Sequence, residues 1–159
     1  MNIEILCVGR LREKFYQDAA EEYLKRLGRY AKVRVLEVEE AKKGEKISPA
    51  GEEIIRGREA EKLLKLVRPG AYVVTLEISG KELSSEELAR EISRLMVGGT
   101  DTVQFVIGGA IGLGKEIIRR ADYHLSFSRM TFPPQLMRVI LLEQVYRSFR
   151  IINSEPYHK

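Results

Sequence analysis

The chain has 159 residues, 44% of them hydrophobic and 31% charged, and a formal net charge of +4. That length suits one domain, 1–159, around a single core, and the composition is that of a folded chain rather than a disordered one. No apolar run approaches the ~18 residues needed to span a bilayer, and Glu4 interrupts the first apolar run in a way that argues against a signal peptide. The expectation is a cytoplasmic protein with no membrane contact.

In chain order, Ile3, Ile5, Leu6 and Val8 read as a strand. Cys7 lies within it; a single cysteine excludes an internal disulfide and reads as a small buried hydrophobe rather than a nucleophile. A helix follows with Phe15, Ala19, Tyr23, Leu24 and Leu27 on one stripe, stopped by Gly28. Val33, Val35, Leu36 and Val38 form a second strand. Residues 41–53 are polar and carry Gly and Pro, which reads as a loop, and a helix then runs to Val67. Residues 72–78 are a nearly unbroken apolar strand of the kind buried on both faces of a parallel sheet. Ser84 and Glu87 make a capping box for a helix ending near Met96. Residues 103–107 are a fourth strand, 115–120 a short helix, 123–127 a fifth strand, and 135–152 a long final helix. Five strands alternating with helices predict an α/β domain with a mainly parallel five-stranded sheet and helices on both faces. In such sheets ligands sit beyond the carboxyl ends of the strands. That directs attention to the loops after 76–78, 106–107 and 125–127.

Two histidines, His124 and His158, and one cysteine offer no ligand cluster at zinc spacing, so no metal is expected. Basic residues gather after the first strand (Arg10, Arg12, Lys14), around the second loop, and near the end (Arg129, Arg138, Arg147, Arg150). This permits a polyanionic partner without requiring one.

The segment GGAIGLGK, 108–115, invites comparison with a phosphate-cradling loop. A P-loop needs Ser or Thr after its lysine to reach a magnesium ion, whereas Lys115 precedes Glu116. The dinucleotide spacing of glycines fails as well. Two readings stay open: a tight strand-to-helix turn, and a close backbone approach to an uncharged, nucleoside-like ligand. Downstream, Ser126, Ser128 and Thr131 interleave with Phe127, Met130 and Phe132 before Pro133-Pro134 forces an extended path. Such a loop beside the glycines makes either core filling or a flat pocket for an adenine ring.

The segments FVIGGAIGLG, SFSRMTFPPQLMRVILLEQVYRSF and the terminal PYHK, together with ILCVGRLREKF and VVTLEISGK, carry a resemblance. In that order and over the full length, the chain resembles the SPOUT-class large-subunit ribosomal RNA pseudouridine N3-methyltransferases. The resemblance implies an α/β fold with a C-terminal trefoil knot, working as a homodimer. It implies S-adenosylmethionine held by Leu76, Gly108, Phe127, Ser128, Arg129, Met130, Thr131 and Phe132. It also implies methylation of N3 of a pseudouridine in a 23S rRNA stem-loop at the subunit interface of assembled ribosomes. Pro134 departs from the histidine frequent in the family at that position.

Methyl transfer to a ring nitrogen needs no metal, but a proton must leave the acceptor. His158 and Tyr157 are the catalytic candidates, His158 as proton acceptor and Tyr157 by stacking on or hydrogen-bonding the base. Arg138, Arg147, Arg150 and Lys159 are the phosphate-gripping candidates. The final helix carries more apolar residues than one core contact requires, which points to burial against a second copy. Two rival readings are a nucleotide-phosphate enzyme built on the glycine loop and a non-catalytic ribosome-binding module.

Overall fold

Five strands, Asn2–Val8 (β1), Lys32–Val38 (β2), Tyr72–Glu82 (β3), Thr102–Ile107 (β4) and Tyr123–Ser126 (β5), pair in the order β2-β1-β4-β3-β5. A computed structural model describes residues 1–42 and 44–157. Every strand pairing in it is parallel, which sharpens the expected mainly parallel sheet. All six residues of β4 are buried, as its unbroken apolar run requires of a central parallel strand. The one buried polar residue of β1 is Glu4, with its carboxylate held by Arg34 at 2.5 Å, Arg68 at 2.7 Å and Gln104 at 2.7 Å. A carboxylate there is tolerable because it is paired and hydrogen-bonded on every side.

Parallel neighbours need crossovers, and helices supply them. They are Lys14–Leu27 (α1), Pro49–Leu64 (α2), Ser85–Val97 (α3), Lys115–Arg120 (α4) and Pro134–Ile152 (α5). α1, α3 and α5 cover one face, where Leu27, Ile92, Leu141 and Phe149 pack on Ile5 and Phe105. α2 and α4 cover the other, where Ala60, Leu63 and Ile117 pack on Leu6, Val73 and Val106.

Four local expectations change. α2 begins at Pro49, because Ser48 caps it by accepting from the Gly51 amide at 3.0 Å; residues 49–53 are helix, not loop. Its helical hydrogen bonding ends at Leu64, short of Val67. Phe15 does not share the buried stripe of α1: it is 63% exposed, and Ala20, Tyr23, Leu24 and Leu27 carry the packing. β3 continues past 78 to Glu82 through a register shift, so that Lys81 pairs with Leu125. Gly80 allows this second pairing, since a Cβ there would lie 2.8 Å from the backbone of His124 and Leu125. The capping box of α3 forms as read: the Glu87 amide donates to Ser84 Oγ at 3.1 Å, and the Ser84 amide to Glu87 at 2.7 Å.

The chain places β2 on one side of β1 and β4 with its neighbours on the other. In an open parallel sheet the ligand crevice lies at the carboxyl edge. There the loops leaving β4, β3 and β5 converge.

Candidate active site

That crevice is a cleft of about 950 Å³. Its lining comes from the end of the paired part of β3 (Leu76 to Ser79), the glycine loop 107–113, the loop 127–134 after β5, and Met137 of α5. Leu76, Ile107, Leu113, Leu125, Phe127, Phe132 and Met137 give it apolar walls, while Ser79, Ser128 and Thr131 place hydroxyls at intervals. Glu77 is the one charged side chain among the lining residues. With no lysine or arginine among the described lining residues, a triphosphate would find backbone amides there but no countercharge from them. Lys115, the lysine of the supposed phosphate loop, points instead to Glu53 at 2.7 Å. The site suits a flat, largely apolar ligand that is neutral or cationic.

The glycine loop is shaped by contacts that a side chain would prevent. It folds back on itself, with the Gly112 amide donating to the Gly109 carbonyl at 3.1 Å and Gly112 at φ +85°. A Cβ on Gly108 would sit 2.8 Å from the Gly112 carbonyl carbon. One on Gly109 would meet Glu59 Oε2 at 3.1 Å and Val8 Cγ1 at 3.2 Å. α2 presses on the loop from behind: the Arg56 guanidinium donates to the Ile111 carbonyl at 3.3 Å. The glycines therefore make a tight turn and leave bare backbone along a cleft.

The opposite wall is set by local hydroxyl bonds. Ser126 donates to the Ser128 carbonyl at 3.1 Å, and the Met130 amide donates to Ser128 Oγ at 2.9 Å. This turn throws Met130 outward, 74% exposed. Pro133 and Pro134 then set the extended entry into α5.

Sequence reasoning reached the strand end at Glu77 but did not single out its side chain. Glu77 Oε2 accepts from Thr75 Oγ1 at 2.6 Å and lies 2.5 Å from His124 Nδ1. Two strands thus fix the carboxylate at the edge of the cleft. The signal in the sequence was the lone acid in an apolar strand end, together with His124 on the neighbouring β5.

Of the residues named for a cofactor, Leu76, Gly108, Phe127, Ser128, Met130, Thr131 and Phe132 all line this one cleft. Arg129 is exposed and not part of the lining. Cys7 is buried, and burial pushes its thiol up to about 12, so it stays protonated and is no nucleophile at neutral pH.

Tyr157 is not in the cleft. Its ring packs edge-on against Tyr146 at 4.9 Å, and its hydroxyl donates to Glu143 at 3.2 Å. Burial, with Glu143 beside it, pushes the phenol up to about 12. Glu143 lies six residues beyond Met137, so Tyr157 docks about 9 Å along the helix axis from the cleft. His158 and Lys159 lie outside the described residues.

The phosphate-gripping reading needs correction at Arg138, which is 5% exposed. Its guanidinium donates to Glu37 at 2.7 Å and to the Gly9 carbonyl at 3.0 Å, so it fastens the loop after β1 rather than facing solvent. Arg147 donates to Glu143 at 2.6 Å and lies over the Tyr157 ring at 4.6 Å. Arg150 holds Tyr30 at 3.2 Å, Glu155, and the Pro156 carbonyl at 2.5 Å. Both arginines clasp the C-terminal tail to α5.

An all-parallel sheet whose carboxyl edge opens into a glycine-walled cleft, with no lysine or arginine among the described lining residues, defines an α/β protein with a small-ligand site unlike a nucleoside-triphosphate loop. Residues 1–158 match the family described as "Predicted SPOUT methyltransferase", and the chain belongs to that family of methyltransferases. It is 50% identical over 159 residues, all of both chains, to a protein of Alkaliphilus oremlandii called "Ribosomal RNA large subunit methyltransferase H". It is 52% identical, again over the whole of both chains, to a Methanococcus maripaludis protein called "Putative ribosomal RNA large subunit methyltransferase H". In fold it is similar to the solved structure of a probable methylase family protein from Haemophilus influenzae, with a TM-score of 0.56 at 14% identity. That likeness covers 99% of this chain and 70% of the other.

Proposed function

We propose that the chain methylates N3 of a pseudouridine in a 23S rRNA stem-loop at the subunit interface of assembled cytoplasmic ribosomes, using S-adenosylmethionine. The reading combines membership of a methyltransferase family with the names of full-length relatives. The observation that carries it is the cleft: glycine backbone on one side, Phe127 to Phe132 on the other, and Glu77 as the one charge among its described lining residues. S-adenosylmethionine supplies a methyl group activated by a sulfonium, and these residues suit its flat adenine and its positive charge. Leu76, Gly108 and the segment 127–132 hold the adenosyl part, with Arg129 at the rim. The trefoil knot expected of the family belongs to the same C-terminal half.

The protein's share of the chemistry is alignment and proton handling. Donor and acceptor must meet at about 3–3.5 Å with the transfer axis straight, which rigid walls at three strand ends favour. His158 receives the proton released from the imide nitrogen, Tyr157 packs near the base, and Lys159 grips a phosphate. Arg147 and Arg150 hold the tail in place for this role. Because Tyr157 docks away from the cleft of its own chain, a second copy completes the site. Leu136, Val139 and Ile140 are only partly covered on α5, and they form the face on which a homodimer assembles.

Glu77 gives a charge test of the cofactor. Glu77→Gln is expected to weaken S-adenosylmethionine roughly tenfold while leaving the uncharged-sulfur product S-adenosylhomocysteine nearly unaffected. Calorimetric titration of both ligands checks this; equal losses for the two would remove the carboxylate from sulfonium recognition.

The function itself is tested by transfer of labelled methyl groups. Intact ribosomes are expected to accept label at one 23S nucleotide, and naked rRNA to accept little. No incorporation into either substrate, or ribosome binding indifferent to S-adenosylmethionine, would defeat the reading.

A further inference from the structure

The loop after β1 sits closer to the cleft than its place in the sequence suggests. β1 and β4 are parallel neighbours, so their carboxyl ends share one edge of the sheet. Val8, the last residue of β1, lies 3.2 Å from the position a Gly109 Cβ would take. The Arg12 amide donates to the Gln135 side chain at 2.8 Å, at the start of α5 just beyond the Pro133-Pro134 wall. Arg138 fixes the Gly9 carbonyl from below at 3.0 Å. The loop is therefore fastened between the glycine loop and α5.

What it presents outward is unspent. Arg10 and Arg12 are exposed, and neither guanidinium has an ion-pair or hydrogen-bond partner among the described residues. Phe15, one turn further on, is 63% exposed, with its ring centroid 4.4 Å from that of Tyr16. An aromatic face standing in water, a few residues along the chain from two guanidinium groups without a partner among the described residues, has no role in the core. Unpaired RNA is recognised by that combination, with bases stacked on aromatic rings and phosphates met by arginine.

Resting on the proposed rRNA substrate, we infer that Arg10, Arg12 and Phe15 form a docking platform at the cleft rim for the unpaired nucleotides flanking the target base. Phe15 stacks on a splayed base, and Arg10 and Arg12 meet the phosphates on either side. The platform thereby sets which nucleotide of the loop reaches the cleft.

The test uses the full chain as Phe15→Ala and as the double variant Arg10→Ala/Arg12→Ala, compared on intact ribosomes. Phe15→Ala is expected to raise KM for ribosomes roughly tenfold with kcat little changed, the effect of losing one stacked base. The double variant is expected to lower the salt dependence of binding by about two counterions in log–log slope. Both keep the sedimentation of the unaltered protein and its affinity for S-adenosylmethionine. Variants with unaltered KM and salt slope overturn the platform, and so does a change of sedimentation, which would make this face a contact between copies. If the unaltered protein transfers no methyl, the rRNA reading fails by itself. The platform is then judged with a fluorescent single-stranded RNA of about 12 nucleotides, and equal affinity of all three proteins overturns it.

Discussion

Removing residues 156–159 is expected to abolish methyl transfer to ribosomes while leaving S-adenosylmethionine affinity within about threefold of the full chain. Of this segment's described residues, Pro156 and Tyr157, neither lines the cleft. What the truncation costs the fold includes the Tyr157–Tyr146 ring contact, the hydrogen bond to Glu143, the Arg147 guanidinium over the Tyr157 ring and the Arg150 hydrogen bond to the Pro156 carbonyl, about 3–5 kcal/mol in all. That is a sizeable part of the roughly 5–15 kcal/mol that holds a domain together, so a thermal melt of the truncated chain accompanies the assay to show that it is folded. His158→Ala separates chemistry from packing, since Tyr157 stays. It is expected to slow single-turnover transfer by about 10²–10⁴, the usual worth of a positioned proton acceptor. Mixing the truncated chain with a Gly108→Ala chain should restore part of the activity if each tail serves the cleft of the other copy. A truncated protein that turns over normally would end the tail's catalytic role.

How much of this was legible beforehand divides along a physical line. Elements dictated by local periodicity or capping appeared where expected: α4 spans 115–120 as read, and the Ser84–Glu87 box opens α3. The carboxyl-edge rule for parallel sheets also pointed to the three loops that line the cleft, because strand direction follows from the alternation of strands and helices. Features set by distant partners were hidden. Nothing around Phe15 in sequence says that the helix turns it to solvent. The continuation of β3 depends on Gly80 passing close to the backbone of β5, a contact 44 residues away along the chain, from Gly80 to His124. Arg138 looked like one more surface cation in a basic C-terminal region. Its burial follows from Glu37 and the Gly9 carbonyl, both about a hundred residues or more upstream. Glu77 was visible as a residue but not as an anchored carboxylate, since Thr75 and His124 meet it only once β3 and β5 pair.

Gly114→Ala tests whether the glycine loop is positioned by the helix behind it. A Cβ at Gly114 would stand 2.5 Å from the Arg56 carbonyl oxygen and 2.8 Å from Ala60 Cβ. Neither atom is the end of a flexible side chain, so α4 and α2 must part, opening the layer formed by Ala60, Leu63 and Ile117. Overpacking of this kind sits at the upper end of its usual range, about 3 kcal/mol, or a fall in Tm of roughly 6–12 °C for a chain of this size. The strain also reaches the cleft, because the same turn of α2 carries Arg56, whose guanidinium holds the Ile111 carbonyl. Cofactor affinity should therefore fall with stability. Gly57→Ala on the same helix is the contrasting case: its Cβ would meet nothing closer than Glu116 Oε1 at 3.8 Å. Replacing a helical glycine with room to spare should stabilise the protein by about 0.5–1 kcal/mol and leave binding alone. Thermal melts with calorimetry on both variants decide the matter. A Gly114→Ala protein that melts and binds like the original would mean that α2 does not support the cleft.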